Sequence, residues 1–415
     1  MSHRTEFKIM IMKREQLKGL AQKGRLLFLV LAVIMLTGCS TKSAGAYYKE
    51  GIKYFKNSDY IKAEENFVKA IEKNKNKAEY YIDYGMTLIM LEDYGSAITM
   101  FDNAMLDKDN AIVRKNNKMA LRGKGIAYYY SKQYLSSVEE FEKALAIKDN
   151  AELNADIRSY LASSLESAGL YEKALDAYET ILKAGSAKGE IYFKRASLYS
   201  KLGRYEESIA EYEKAITEEK DNYDYYFGKY FALAANGQEE DGKLLLESLL
   251  ITEEGGKSST TSPEDNYNLA KVYYYLGEYE EASSRLEESI HLGFTSAYYY
   301  LGQIAEEQNH YEEAIYNYNN YLADEKNEKT GAVYKRLGLN YFKLSQYTEG
   351  LEAISEGLNL NDVLEEQSLK RNEIIGLEHL GKYEDAAKKI REYLLAYPND
   401  EEAKREYEFI KTRVK

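Results

Sequence analysis

Apolar residues are distributed along this chain in two patterns. From Leu26 to Leu36 they form an unbroken run of 11 residues behind a basic stretch. A bilayer-spanning helix needs about 20, so the run has the length of a signal-peptide core. From about residue 44 the pattern becomes that of short amphipathic helices in pairs, recurring with a period near 34 residues. A small residue marks the first helix of each pair (helix A) at Gly51, Gly85, Gly125, Ala162, Ala196, Ala270, Gly302 and Gly338, while Tyr230 and Ile374 occupy that position in two further pairs. Twelve residues on, a second small position opens helix B: Ala63, Ala97, Ser137, Ala174, Ser208, Gly242, Ala282, Ala314, Gly350 and Ala386. Two closely crossing helices require small residues there, because a larger side chain would force them apart. A large residue follows four positions later: Phe67, Phe101, Phe141, Tyr178, Tyr212, Leu246, Leu286, Tyr318, Ile354 and Ile390. Helix B starts on tyrosine in nine pairs and on Glu239 in the sixth, and Gly169, Gly203, Gly237, Gly277 and Gly381 suit the turn before it.

The stretch from Ala196 to Ala215 carries the pattern most clearly, with a helix ending near Gly203 and another beginning after Tyr205. It resembles the tetratricopeptide repeat, and comparable matches cover residues 44–399, about 85% of the chain. The family's helix-ending proline survives only as Pro398. The resemblance implies an all-α fold, a right-handed α-solenoid of about ten helical hairpins closed by a C-terminal capping helix. Repeats 1–6 would span residues 46–251 and repeats 7–10 residues 266–399, separated by a flexible polar loop at 252–265. Residues 400–415 read as the charged capping helix that a solenoid needs over its last apolar face. Asp107 to Arg122 reads as a lengthened junction after the second repeat.

Behind the apolar run, Leu36-Thr37-Gly38-Cys39 resembles a bacterial lipobox. By that resemblance residues 1–38 are a lipoprotein signal peptide, starting at Met1, Met10 or Met12, and Cys39 carries a covalent lipid as the new N-terminus. Two or three acyl chains on one residue anchor a protein stably, whereas one is marginal. Residues 39–45 then form a linker of about seven residues, reaching at most about 25 Å. The expected location is the extracytoplasmic face of a bacterial membrane, with the outer membrane as the alternative.

Composition supports a mostly helical body: 30% of residues are charged, only Pro263 and Pro398 are prolines, and there are 42 tyrosines and no tryptophan. The net charge is −13, yet residues 1–38 carry +5, which leaves −18 on the remainder. So acidic a body disfavours nucleic acid and disfavours lying flat on anionic headgroups. Cys39 is the sole cysteine, which excludes an intramolecular disulfide.

Candidate chemistry is sparse. Gly256-Lys257-Ser258 ends like a phosphate-binding P-loop, but position 251 holds isoleucine instead of the glycine such a loop needs. His291, His310 and His379 fall in different repeats without metal-ligand spacing, and acidic pairs such as Glu280-Glu281 complement the start of a helix. No enzyme, metal site or cofactor is expected beyond the lipid on Cys39.

In the tetratricopeptide family the inner surface is lined by helix A at offsets −3, +1 and +4 from its small position. Here those offsets bring Tyr48, Phe55, Tyr129, Phe193, Phe227, Tyr267, Tyr274, Tyr299 and Phe342 to one surface, together with Ile52, Ile126, Phe231 and Leu339. Aromatics in a groove suit peptide or helix recognition. The slot that holds asparagine in carboxylate-clamp members is filled by residues such as Ile52, Ser163 and Leu339, so binding of C-terminal chaperone tails is not expected. The implied function is a membrane-held adaptor for protein or peptide partners in the cell envelope, with capture of polysaccharide as the alternative.

Overall fold

The structure is a computed structural model, and it describes residues 42–414 apart from 186, 187, 256–261, 361 and 363. Cys39, the apolar run and the lipobox lie outside the described residues. All regular structure among the described residues is helical.

Contacts divide the chain into two compact units, with the division in the sequence falling between Gly242 and Lys243. The first unit holds five complete hairpins: α1 (Ala44–Lys56) with α2 (Tyr60–Lys73), α3 (Ala78–Met90) with α4 (Tyr94–Ala104), α5 (Ala111–Tyr130) with α6 (Tyr134–Ala146), α7 (Asn154–Ser167) with α8 (Tyr171–Lys183), and α9 (Lys188–Lys201) with α10 (Tyr205–Glu218). It also holds α11 (Tyr223–Ala235) and the start of α12 (Glu239–Gly255), the sixth pair. The second unit continues with α13 (Pro263–Leu276) and α14 (Tyr279–His291), α15 (Tyr298–Glu307) and α16 (Tyr311–Ala323), α17 (Gly331–Lys343) and α18 (Tyr347–Asn359), and α19 (Glu366–His379) and α20 (Tyr383–Ala396), ending in α21 (Glu401–Lys411). For the helices other than α12, each helix A packs on its own helix B, and each helix B packs on the next helix A.

The core is built from the residues that the periodicity singles out. Phe67, Phe101, Phe141, Leu286, Tyr318, Ile354 and Ile390 are all fully buried, as are Ala63, Ala97, Ser137, Ala174, Ser208, Ala282, Ala314 and Ala386. Burying one such large side chain stabilises by about 1.5–3 kcal/mol. The helix-A glycines are explained by those same rings. A Cβ on Gly51 would lie 2.7 Å from the Phe67 ring, one on Gly125 2.6 Å from Phe141, and one on Gly302 2.6 Å from Tyr318. The sixth pair, which breaks the pattern with Tyr230, reverses the sizes: a Cβ on Gly242 of helix B would meet the Tyr230 ring at 3.1 Å. Where helix B opens on serine, its hydroxyl donates back to the small position of helix A: Ser137 to the Gly125 carbonyl and Ser208 to the Ala196 carbonyl, both at 2.8 Å.

Every hairpin turn places one residue in the left-handed region, two positions before helix B. Five are the glycines named above; the other five are Ser58, Glu92, Lys132, Asn309 and Ser345, with φ from 60° to 66°.

Three segments differ from the sequence expectation. The stretch expected as a lengthened junction is mostly helix, because α5 begins at Ala111 and buries Val113, Lys118 and Ala120. The polar stretch at 252–265 is helical at both ends, since α12 runs to Gly255 and α13 starts at Pro263. That start is fixed by a capping box between Ser262 and Asp265, with proline in the first turn. The C-terminal helix is shorter than 400–415; Asp400 caps it, and Ala403 and Ile410 are its buried residues.

Candidate interaction surface

Each nominated aromatic sits on helix A, but the geometry gives it a structural partner. In the first unit the Tyr48 hydroxyl donates to Asp83 Oδ2 at 2.5 Å, and its ring stacks on Tyr80 at 4.7 Å. Burial and the neighbouring carboxylate push the Tyr48 hydroxyl well above its ordinary pKa. Phe55 meets Tyr60 edge-on at 5.5 Å. Tyr129 packs against Tyr134 and Tyr160, at 5.8 and 6.0 Å. Phe193 touches Tyr212 and Tyr225, at 5.8 and 5.2 Å. Phe227 is buried, at 4% exposure, and therefore lies in the core instead of on a surface.

The second unit repeats the theme. Tyr267 packs on Phe294 and Tyr300, at 4.8 and 5.7 Å, with the Lys271 ammonium 5.5 Å from its ring centre. Tyr274 lies against Tyr279 and Tyr300, its hydroxyl donates to Gln303 Oε1 at 3.3 Å, and burial pushes it up to about 12. Tyr299 contacts Tyr318 and Tyr321, and Phe342 contacts Tyr347 at 5.6 Å. These half-buried rings join helix A to its own helix B and to the following helix A. Edge-to-face pairs of this kind add about 0.5–1.5 kcal/mol beyond their buried area.

Apolar helix-A residues open to solvent include Ile112, 70% exposed, Phe231, 49% exposed, and Leu339, 37% exposed. Phe231 and Leu339 occupy the +1 offset, but the offset alone does not secure exposure: Phe231 meets the Tyr230 ring edge-on at 5.3 Å, and Ile126 at the same offset is buried. Polar side chains tie successive repeats together in the same register. Arg114 pairs with Asp149 at 2.7 Å, Lys201 with Glu166 at 3.1 Å, and Arg122 with Asp156. Lys118 is fully buried, donating to the Ile147 carbonyl at 2.8 Å and to Asn154 Oδ1 at 2.6 Å, and burial lowers its pKa. Sequence reasoning missed these ties, although their spacing of about one repeat was a usable signal.

His291 and His310 are exposed, and His379 stacks on Tyr347 at 4.3 Å. Among the described residues no group of three His, Cys, Asp or Glu side chains could hold a metal, and no helix is long and apolar enough to cross a membrane. A cavity of about 360 Å³ between α18, α19 and α20 is lined by Lys370, Glu366, Lys389 and Glu373, which pair with one another.

Family models described as tetratricopeptide repeat match residues 122–190 and 189–222. The chain is a tetratricopeptide-repeat protein. A further model, described as anaphase-promoting complex, cyclosome, subunit 3, matches residues 242–321 of this tetratricopeptide-repeat protein. A DnaJ homolog subfamily C member 7 homolog from Dictyostelium discoideum is 21% identical over 53% of the chain. A TPR repeat-containing protein of Methanocaldococcus jannaschii is 24% identical over 59%. The chain spans 45% of the length of each of these two relatives. Among solved structures, a tetratricopeptide repeat protein from Parabacteroides merdae aligns over 63% of this chain and 98% of its own, with 19% identity and a TM-score of 0.46. YrrB, described as having an unusual peptide-binding site, aligns over 52% and 96% with 18% identity and a TM-score of 0.38. Tetratricopeptide-repeat proteins are scaffolds for protein–protein interaction and are generally not enzymes.

Proposed function

We propose that this tetratricopeptide-repeat protein is a non-enzymatic adaptor, anchored by lipid on Cys39 at the extracytoplasmic face of a bacterial membrane, that gathers protein or peptide partners of the cell envelope. The observation that carries the binding role is the exposure of Phe231 in the first unit and of Leu339 in the second, each one position after the marked helix-A residue. Exposed apolar side chains held on packed helices offer anchors for a partner. The lipobox Leu36-Thr37-Gly38-Cys39, preceded by an 11-residue apolar run, supports the anchor.

Capture of polysaccharide is the weaker reading. Sugar platforms need flat, open ring faces, and the nominated tyrosines of the second unit are engaged edge-on by other tyrosines. The test is crosslinking in intact cells, followed by pull-down and mass spectrometry, with Phe231→Glu and Leu339→Glu as the variants. Both positions are solvent-exposed, so the fold is expected to persist. One or two envelope proteins enriched with the native chain and lost with either variant establish the adaptor. Carbohydrate co-purifying without a protein partner overturns it.

A further inference from the structure

The acidity of the chain stops at its first hairpin. Residues 42–77 hold nine lysines against five acidic side chains, a net of +4, although the whole chain carries −13. All nine lysines are exposed, whereas four of the five acids (Glu50, Asp59, Glu64 and Glu65) are partly buried. Among the described residues only Lys42 and Lys62 of the nine form an ion pair, with Glu50 and Asp59. Lysines of later repeats that have an acidic partner include Lys124, Lys143, Lys201 and Lys214.

Five of the nine lysines lie at one end of the hairpin, while Lys53, Lys56 and Lys62 lie at the other. An antiparallel pair brings the start of α1 beside the end of α2, and Lys42, Lys69 and Lys73 place their ammonium groups 5.8, 6.0 and 5.8 Å from the centre of the Tyr47 ring. Lys75 and Lys77 follow at once in the turn after α2. A cation at the end of a helix is favoured by the helix dipole, which accounts for Lys73 alone. The ring face attracts the ammonium groups and Glu50 offsets Lys42, which leaves Lys69 and Lys73 without a carboxylate partner among the described residues and open to an anionic counter-surface. Cys39 is three residues from Lys42, so a lipid there cannot lie more than about 11 Å of chain away.

We propose that this end of the first hairpin is a headgroup-binding surface. Lys42, Lys69, Lys73, Lys75 and Lys77 rest on an anionic phospholipid leaflet and hold the first repeat against it. The inference rests on the reading of Cys39 as the lipid anchor and supplies the second membrane signal beside the acyl chains. It also replaces the expectation that acidity keeps the whole body off anionic headgroups, because that acidity begins only with the second repeat.

The test uses the lipoprotein purified from cells and reconstituted into vesicles of phosphatidylcholine with or without phosphatidylglycerol. Amine acetylation is followed at the five lysines by peptide mass spectrometry, with exposed Lys220 and Lys388 as references. Acetylation of the five is expected to slow at least about fivefold on the phosphatidylglycerol vesicles at low salt, and to recover at high salt, while the references stay unchanged. Equal rates on both vesicles overturn the proposal. Equal protection by inorganic phosphate without vesicles also overturns it, since the ligand is then a soluble anion. Intact mass, read first, reports whether Cys39 carries lipid. A chain without lipid defeats the anchor reading, and the same acetylation comparison made on that chain still decides the lysine surface.

Discussion

At the scale of single residues, the fold rests on exchanges of volume between two helices. A glycine on helix A leaves room for the ring of the residue sixteen positions later, and an added methyl must displace that ring. Gly302→Ala is therefore expected to destabilise by about 1–3 kcal/mol, because the methyl would stand 2.6 Å from the fully buried Tyr318. Chemical denaturation followed by circular dichroism checks this, and an unchanged midpoint would mean that the ring has somewhere to go. The turns offer the opposite case. Lys132 is exposed and holds φ at 62°, in a region that costs a non-glycine residue about 1 kcal/mol. Lys132→Gly relieves that cost and gives back part of it as extra freedom of the unfolded chain. The expected outcome is a small gain, up to about 0.5 kcal/mol, read from the same denaturation midpoint; a loss would show that the lysine side chain contributes more than its backbone costs.

At the scale of elements, the most exposed to conditions is the capping helix α21. Its Glu406 is paired with Arg371 of α19, which also lies over the Tyr393 ring at 5.6 Å. Glu378, also on α19, has a carboxylate oxygen buried without a hydrogen-bond partner. Burial first, and then the nearby Glu406 carboxylate, raise Glu378 from 4.5 to about 7, with Arg371 pulling the other way. The folded carboxyl thus keeps its proton where the unfolded one has released it. Stability should fall as pH rises from about 4.5 to about 7, and level off above that. Solvent screening at this half-buried site limits the effect to about 1 kcal/mol. Hydrogen exchange of α21, corrected for intrinsic rates, should quicken between pH 5 and 8, and Glu378→Gln should flatten the dependence. A pH dependence that survives the substitution would assign it to another group.

At the scale of the whole molecule, the proposed anchor and the repeats are separable, since Cys39 precedes α1, the first described helix, in the sequence. Cys39→Ala is expected to move the protein from the membrane to the soluble fraction while its circular dichroism spectrum and melting transition stay unchanged. A variant still membrane-bound and still processed would mean that Cys39 does not carry the anchor.

The periodicity of the sequence determined which residues fill the core, because a small residue and a large one recurring at fixed offsets leave one way for two helices to cross. Ala63 and Phe67, or Ala314 and Tyr318, could be placed from spacing alone, and both pairs are fully buried. Five of the ten turn positions were legible as glycine; the other five were not, since serine, glutamate, lysine and asparagine enter the left-handed region only where helices on both sides force them. The exposure of the helix-A aromatics was decided by tertiary structure. Phe227 and Phe231 are separated by one helical turn, yet one is 4% exposed and the other 49%. Period says which face a residue is on; only the neighbouring helices decide whether that face is covered.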